Sequence, residues 1–370
     1  VGSVLVPEND KLKFLSLNSN SDDFSQTLES FNKDSLLFGS SSRVLLGNYK
    51  NVSSDALLAF IIFLPDSIQS PLESSDSVTL KSAWVEIYPD YWLGDESDFN
   101  FSVRRINTTW NPITMDQDTF NVIKNTLGPN TLTKLEFTPG DTLLRFEFDN
   151  SIVEDWVYES FDESYPPNYG IMLSPLSSNG IMGFQGISAF QSSPYPILNL
   201  EFEKEGDFID TVLAVPNLDI HLPTGEPLQD PVNELILQGS IGVRGKLKFN
   251  FENVPERILV NSAILKLFFN PVNSFQGSVP TDTIAVSMLQ NFSDDDIRLE
   301  FGRYPLLQKE DFYEGEIRQF IQRWIDGEPN EGMEIKLSDE ARSASAISFY
   351  SSSHPVDSLR PNLTIYYTTR

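Results

Sequence analysis

Short runs of alternating apolar and polar residues dominate the chain. Leu57–Leu64, Val78–Tyr88, Phe99–Ile106, Leu143–Phe148, Ile171–Ser174 and Ile197–Phe202 are rich in β-branched and aromatic residues. Clusters of Pro, Gly, Asn and Asp separate them, the pattern of strands divided by turns. In Trp84-Val85-Glu86-Ile87-Tyr88 and Leu265-Lys266-Leu267-Phe268 every second residue falls on one face, as in a half-buried strand. Helical spacing is confined to two places. Ile317, Phe320, Ile321 and Trp324 sit at i, i+3, i+4 and i+7, with Gly327 near the stop, and Ile152, Val153, Trp156 and Val157 make the same face. The spacing predicts two short helices, with Trp156 and Trp324 packing each over an open end of a sandwich.

The pattern then repeats. Phe60 before Leu64-Pro65-Asp66-Ser67-Ile68 is matched by Phe249 before Val254-Pro255-Glu256-Arg257-Ile258. Ser82-Ala83-Trp84-Val85-Glu86-Ile87-Tyr88 matches Ser262-Ala263-Ile264-Leu265-Lys266-Leu267-Phe268, and Ile152–Trp156 matches Phe320–Trp324. Pro167-Asn168-Tyr169-Gly170 matches Pro329-Asn330-Glu331-Gly332; Phe190–Ser193 and Pro196–Leu200 match Phe349–Ser352 and Pro361–Ile365. A period of roughly 160 to 190 residues is too long for a solenoid and has the size of a whole sandwich domain. The expected fold is therefore all-β: two tandem jelly-roll-like β-sandwich domains, each with one short capping helix. An extended N-terminal segment covers 1–30, the first sandwich 31–205 and the second 206–370, with the boundary in Glu203–Asp207.

These blocks resemble the DNRLRE-type β-sandwich domain. The likeness lies in an extended first strand, an "LLxFxLP-x-x-I" segment, "SAxLxLY", a Trp-bearing helix, "NxGIxL", an "FxS" strand and a closing "PxLxxxY", in that order. It covers most of 31–202 and 232–367, and Trp110-Asn111-Pro112 keeps a fragment of the family's Trp-containing loop. The resemblance implies a secreted or surface-exposed protein, with kinship to some carbohydrate-binding modules. Val1–Asp10, Asp34-Ser35-Leu36 and Leu45-Leu46-Gly47-Asn48-Tyr49 are similar to the start of Bacteroidota-type surface lipoproteins. That likeness implies a lipid-anchored outer-membrane form. The chain begins at Val1 without a signal-peptide pattern and reads as a processed mature form.

Composition narrows the chemistry. The 370 residues carry 53 acidic and 26 basic side chains, for a net charge of −27. Such a charge repels a phosphate backbone, so no nucleic-acid partner is expected. Without cysteine there is no disulfide framework, thiol nucleophile or cysteine metal site. The two histidines, His221 and His354, are too few and too far apart for a His-based triad or metal centre. No Gly-rich phosphate loop occurs, and no apolar run approaches a transmembrane helix. Nor does any acidic pair stand out as a glycosidase couple, which needs two carboxyls at a set separation across a cleft.

Three candidate sites remain. Tyr88, Tyr91 and Trp92, flanked by Asp90, have the composition of a sugar-stacking platform. Asp294, Asp295 and Asp296 supply hard oxygen ligands for a structural Ca²⁺, the one candidate cofactor. Asp followed by Ser or Thr and an apolar residue marks Ser35, Ser67, Ser77, Thr142, Thr211, Thr283 and Ser358. This triplet looks like the O-glycosylation acceptor of exported Bacteroidota proteins. The resulting expectation is a non-catalytic, exported cell-surface structural or interaction protein, a subunit of an extracellular filament or envelope assembly. Its partners are other envelope or matrix proteins or itself. The alternative is a pair of carbohydrate-binding modules that recognise polysaccharide.

Overall fold

The computed structural model describes residues 14–22, 24–33, 36–74, 78–188, 194–204, 208–252, 254–255, 257–294 and 296–369. Two antiparallel sheet systems organise the chain, each of eleven strands among the described residues, so the protein is all-β. The chain opens with β1 (Phe14–Asn18) and β2 (Gln26–Asn32). There follow β3 (Arg43–Tyr49), β4 (Val52–Ile61), α1 (Asp66–Glu73), β5 (Val78–Ile87), β6 (Pro89–Gly94), β7 (Phe101–Arg105) and α2 (Gln117–Thr126). Next are β8 (Leu132–Glu136), β9 (Leu144–Phe148), α3 (Asn150–Glu159), β10 (Ile171–Pro175), β11 (Gly180–Gln185), β12 (Ile197–Lys204) and the long β13 (Phe208–Gly225). The second system holds β14 (Glu234–Gln238), β15 (Val243–Phe249), β16 (Ile258–Phe275), β17 (Thr283–Met288), β18 (Arg303–Gln308) and β19 (Phe312–Glu316). It ends with α4 (Arg318–Ile325), β20 (Met333–Leu337), β21 (Ala346–Tyr350) and β22 (Asn362–Thr369).

Much of the pairing order recurs in both systems. β5 lies between β12 and β9, as β16 lies between β22 and β19; β4 pairs with β3 and β10, as β15 pairs with β14 and β20. In the second system β16 also pairs with β21, closing the path on itself. The Asn-x-Gly blocks show why the repeat is visible in the sequence. Asn168 Nδ2 donates to the Phe60 carbonyl (2.8 Å), and Gly170 N donates to Asn168 Oδ1 (3.0 Å). Asn330 repeats this with Phe249 (2.7 Å) and Gly332 (3.1 Å). Both glycines have positive φ, 84° and 76°, and a Cβ would lie 2.1 Å from the Leu58 carbonyl or 2.7 Å from that of Leu247. Each site demands Gly twice over, for conformation and for space.

Each sandwich has its own apolar core. Phe101, Phe146, Phe148 and Phe202 fill the first, Leu247, Phe249, Leu265 and Tyr313 the second. The spaced aromatics close them: α3 buries Trp156 in the first core, and α4 buries Phe320, Ile321 and Trp324 in the second. Two further helices correct the expectation of one helix per sandwich. α1 buries Ile68 and Leu72, and α2 buries Phe120 and Ile123. Asp116 caps α2 by accepting from Thr119 N at 2.8 Å. With only two core residues each, neither helix produces the long apolar stripe by which a helix is read from sequence.

The boundaries also differ from 1–30, 31–205 and 206–370. β13 belongs to the first system, pairing with β12 through Phe208–Ala214 and with β4 through Val215–Gly225. β1 and β2 belong to the second, pairing with β22 and β15. Phe190–Ser193, one member of the repeat, lies outside the described residues.

Candidate functional site

The aromatic triad does not form one surface. Successive side chains of a strand point to opposite faces, so Tyr91 and Trp92 diverge on β6. Tyr91 is fully buried at the seam between the two sandwiches, in a cluster with Leu45, Leu93, Ile181 and Ala344. Its hydroxyl lies 3.4 Å from Ser343 Oγ, and burial raises the phenol above its ordinary range. The ring fits because the facing residue is Gly277, where a Cβ would meet it at 2.3 Å. Trp92 and Ser278 join the backbones: Trp92 N donates to Ser278 Oγ (2.9 Å), and Ser278 N to the Trp92 carbonyl (2.6 Å). The Trp92 ring stacks on Phe137 with centroids 5.3 Å apart, and meets Phe99 edge-on. Tyr88 is half-buried and donates to Glu86 at 3.3 Å. β6 is thus a strand whose aromatics pack on opposite faces, Tyr91 into the seam and Trp92 against Phe99 and Phe137.

The acidic turn stays on the surface. Asp294 and Asp296 are exposed and line a shallow depression beside Glu331. Asp294 accepts from Asn291 Nδ2 (3.1 Å), while Asp295 lies outside the described residues. Among the described residues no three His, Asp or Glu side chains gather as a metal site would require. The candidate glycosylation hydroxyls are spread over both sandwiches. Ser67, Thr142, Thr211 and Ser358 are exposed, and Thr283 is half-buried and donates to Asp282. Ser35 and Ser77 lie outside the described residues. Asp118-Thr119-Phe120 carries the same triplet, with Thr119 exposed on α2.

β13 carries two buried titratable groups. Asp219 and His221 alternate with Leu218, Ile220 and Leu222, so the apolar run conceals them within a strand. Burial pushes the Asp219 carboxyl up to about 6, although Oδ2 accepts from Ile187 N. Burial holds the His221 imidazole down at about 3, weakly opposed by the Ala341 backbone. Neither ring nitrogen makes a hydrogen bond of normal geometry, and Phe38 packs on the ring at 4.8 Å. These shifts set opposite pH dependences. For Asp219 the folded state resists ionisation, so a penalty develops as pH rises from 3.8 to about 6 and persists above. Asp219→Asn is expected to stabilise the fold by about 2 to 3 kcal/mol at pH 7 and by nothing below about pH 4, measured by urea unfolding. For His221 the unfolded chain takes the proton first, so stability falls as pH drops from 6.5 towards about 3. His221→Met is expected to flatten that part of the stability–pH curve by close to one proton.

The sheet edges set the two sandwiches apart. In the first, β13 runs along both sheets as one strand and buries Val212, Ala214, Ile220 and Leu222. In the second, β1 and β2 do the same work as two pieces, and no residue of either strand is fully buried. Their apolar anchors are Phe24, between the strands, and the half-buried Leu17 and Leu28. Where the connection from β2 to β3 passes the seam, Phe38, Pro112, Met115, Ile220 and Ile241 line a cleft of about 450 Å³. Nothing in the sequence of 14–32 signals this pairing, because main-chain hydrogen bonds carry it. No family model matches the chain, and no curated protein matches it.

Proposed function

We propose that the protein is a non-catalytic building block of an exported cell-surface assembly, acting through its sheet edges. The observation that carries this reading is that each sandwich is completed by a strand from outside its own repeat block: β13 for the first, β1 and β2 for the second. A sheet that accepts such a strand is a recognition surface, with affinity from main-chain bonds and selectivity from alternate side chains. The likeness to DNRLRE-type surface domains supports the same role. So do the exposed hydroxyls of Ser67, Thr142, Thr211 and Ser358, proposed as O-glycosylation acceptors. Lipid anchorage at the outer membrane, implied by the N-terminal likeness, completes the proposal.

Size-exclusion chromatography and electron microscopy of natively purified material test it. Ordered polymers, or co-purifying envelope components at fixed ratio, are expected. A monodisperse monomer at every concentration, with no retained partner, would overturn the assembly role. Mass spectrometry of the same material reads the triplet hydroxyls, and finding all of them bare would remove glycosylation.

A further inference from the structure

We propose that Phe14–Asn32 is an exchangeable edge module that completes the second sandwich of another copy of this chain. This inference rests on the assembly role above and names its partner as a second copy. The internal repeat supplies the argument. β13 completes the first sandwich, and after eight residues (226–233) the chain enters the second. β1 and β2 complete the second sandwich, and after ten residues (33–42) the chain enters the first. In both cases a completing strand leads directly into the sandwich that follows it in the chain. Continued from copy to copy, the same rule places β1 and β2 of one chain on the second sandwich of the chain before it. The contact is then head-to-tail, the kind that builds open chains rather than closed pairs.

The anchoring of the segment suits exchange. Among the described residues β13 is fastened by the buried apolar side chains of Val212, Ala214, Ile220 and Leu222, whereas β1, β2 and the turn between them bury one apolar side chain, Phe24, and the small Ser19, bonded to the Leu363 backbone. Polar contacts set the register. Asn18 Nδ2 donates to Asn362 Oδ1 (3.0 Å) and Thr364 Oγ1 (2.9 Å), Asn362 Nδ2 returns a bond to Asn18 Oδ1 (3.0 Å), and Ser30 Oγ donates to Asp230 (2.6 Å). Every one of these bonds forms equally well between two copies. Exchange preserves all pairings and alters only the path between β2 and β3. Tethering favours the internal strand by an effective concentration of about millimolar, so exchange is driven by crowding, as on a surface.

The absence of native cysteine makes the test direct. Ser16 faces Tyr366 across β1 and β22, and Thr27 faces Lys248 across β2 and β15. Full-length Ser16→Cys and Tyr366→Cys are mixed at about millimolar concentration and treated with a short bifunctional thiol reagent; Thr27→Cys with Lys248→Cys is an independent second pair. Mixed dimers of doubled mass, in excess over either like-with-like product, are expected. The proposal is overturned if the double variant Ser16→Cys/Tyr366→Cys links only within one chain while the mixtures stay at monomer mass. If polymers seen by microscopy form without mixed dimers, exchange fails and the assembly role stands. If neither polymers nor mixed dimers appear, both fail.

Discussion

Replacing Trp156 by Ala is expected to cost the first sandwich about 3 to 5 kcal/mol, the range for deleting a large aromatic from a packed core. Trp156 is fully buried and is among the largest side chains the fold encloses. It projects from α3 with Ile152, Val153 and Val157, and its ring lies 6.4 Å from that of Phe148. α3 is short, so its stability comes from this face rather than from helix propensity. Truncation removes the seal at that end of the core and the main reason for the helix to dock. Trp156→Phe should cost clearly less. The indole Nε1 is buried without a hydrogen-bond partner, and removing an orphaned donor offsets part of the lost packing. Denaturant unfolding of the two variants checks the order; equal losses would mean that a phenyl ring recovers none of the packing and would overturn it.

Arg244→Met is the second large expected loss, again about 3 to 5 kcal/mol, the cost of breaking a buried ion pair from one side. Arg244 grips Glu340 with two bonds, Nε to Oε2 at 3.0 Å and Nη2 to Oε1 at 2.7 Å, and reaches Glu334 Oε2 at 2.8 Å. All three residues are buried, and Lys336 also pairs with Glu340. Removing the guanidinium leaves Glu334 without a cation, and its Oε1 already lacks a partner. Arg244→Lys should recover little, because an ammonium cannot make the forked pair. Arg244→Met/Glu334→Gln should regain most of the loss, since Glu340 keeps Lys336 and no carboxylate is left without a cation. Unfolding midpoints of the four proteins decide it; a harmless Arg244→Met would mean that the network is solvated.

The same position in the repeat shows how far sequence reading extends. Phe60 and Phe249 are equivalent, so Asp55 on β4 corresponds to Arg244 on β15, and both are buried charges on the same face. Asp55 is neutralised by Lys124 of α2 at 2.8 Å, Arg244 by two glutamates. The strands themselves were legible because period-two alternation is local. The polar partners were not: Lys124 lies 69 residues from Asp55, and Glu340 lies 96 from Arg244. The triad Tyr88, Tyr91 and Trp92 misleads for a related reason. A cluster of aromatics in sequence looks like one surface, yet a strand sends its neighbours to opposite sides.

By itself the sequence determined the class of elements and the internal repeat. Each of these rests on alternation, turn chemistry or backbone conformation within a few residues. Only the tertiary structure decided that Phe14–Asn32 completes the second sandwich, that Phe208–Gly225 completes the first, and that Tyr91 closes the seam. The physical reason lies in the edges. An edge strand is held by main-chain N–H and C=O groups that almost every residue possesses, so its choice of sheet leaves no mark in the side-chain pattern.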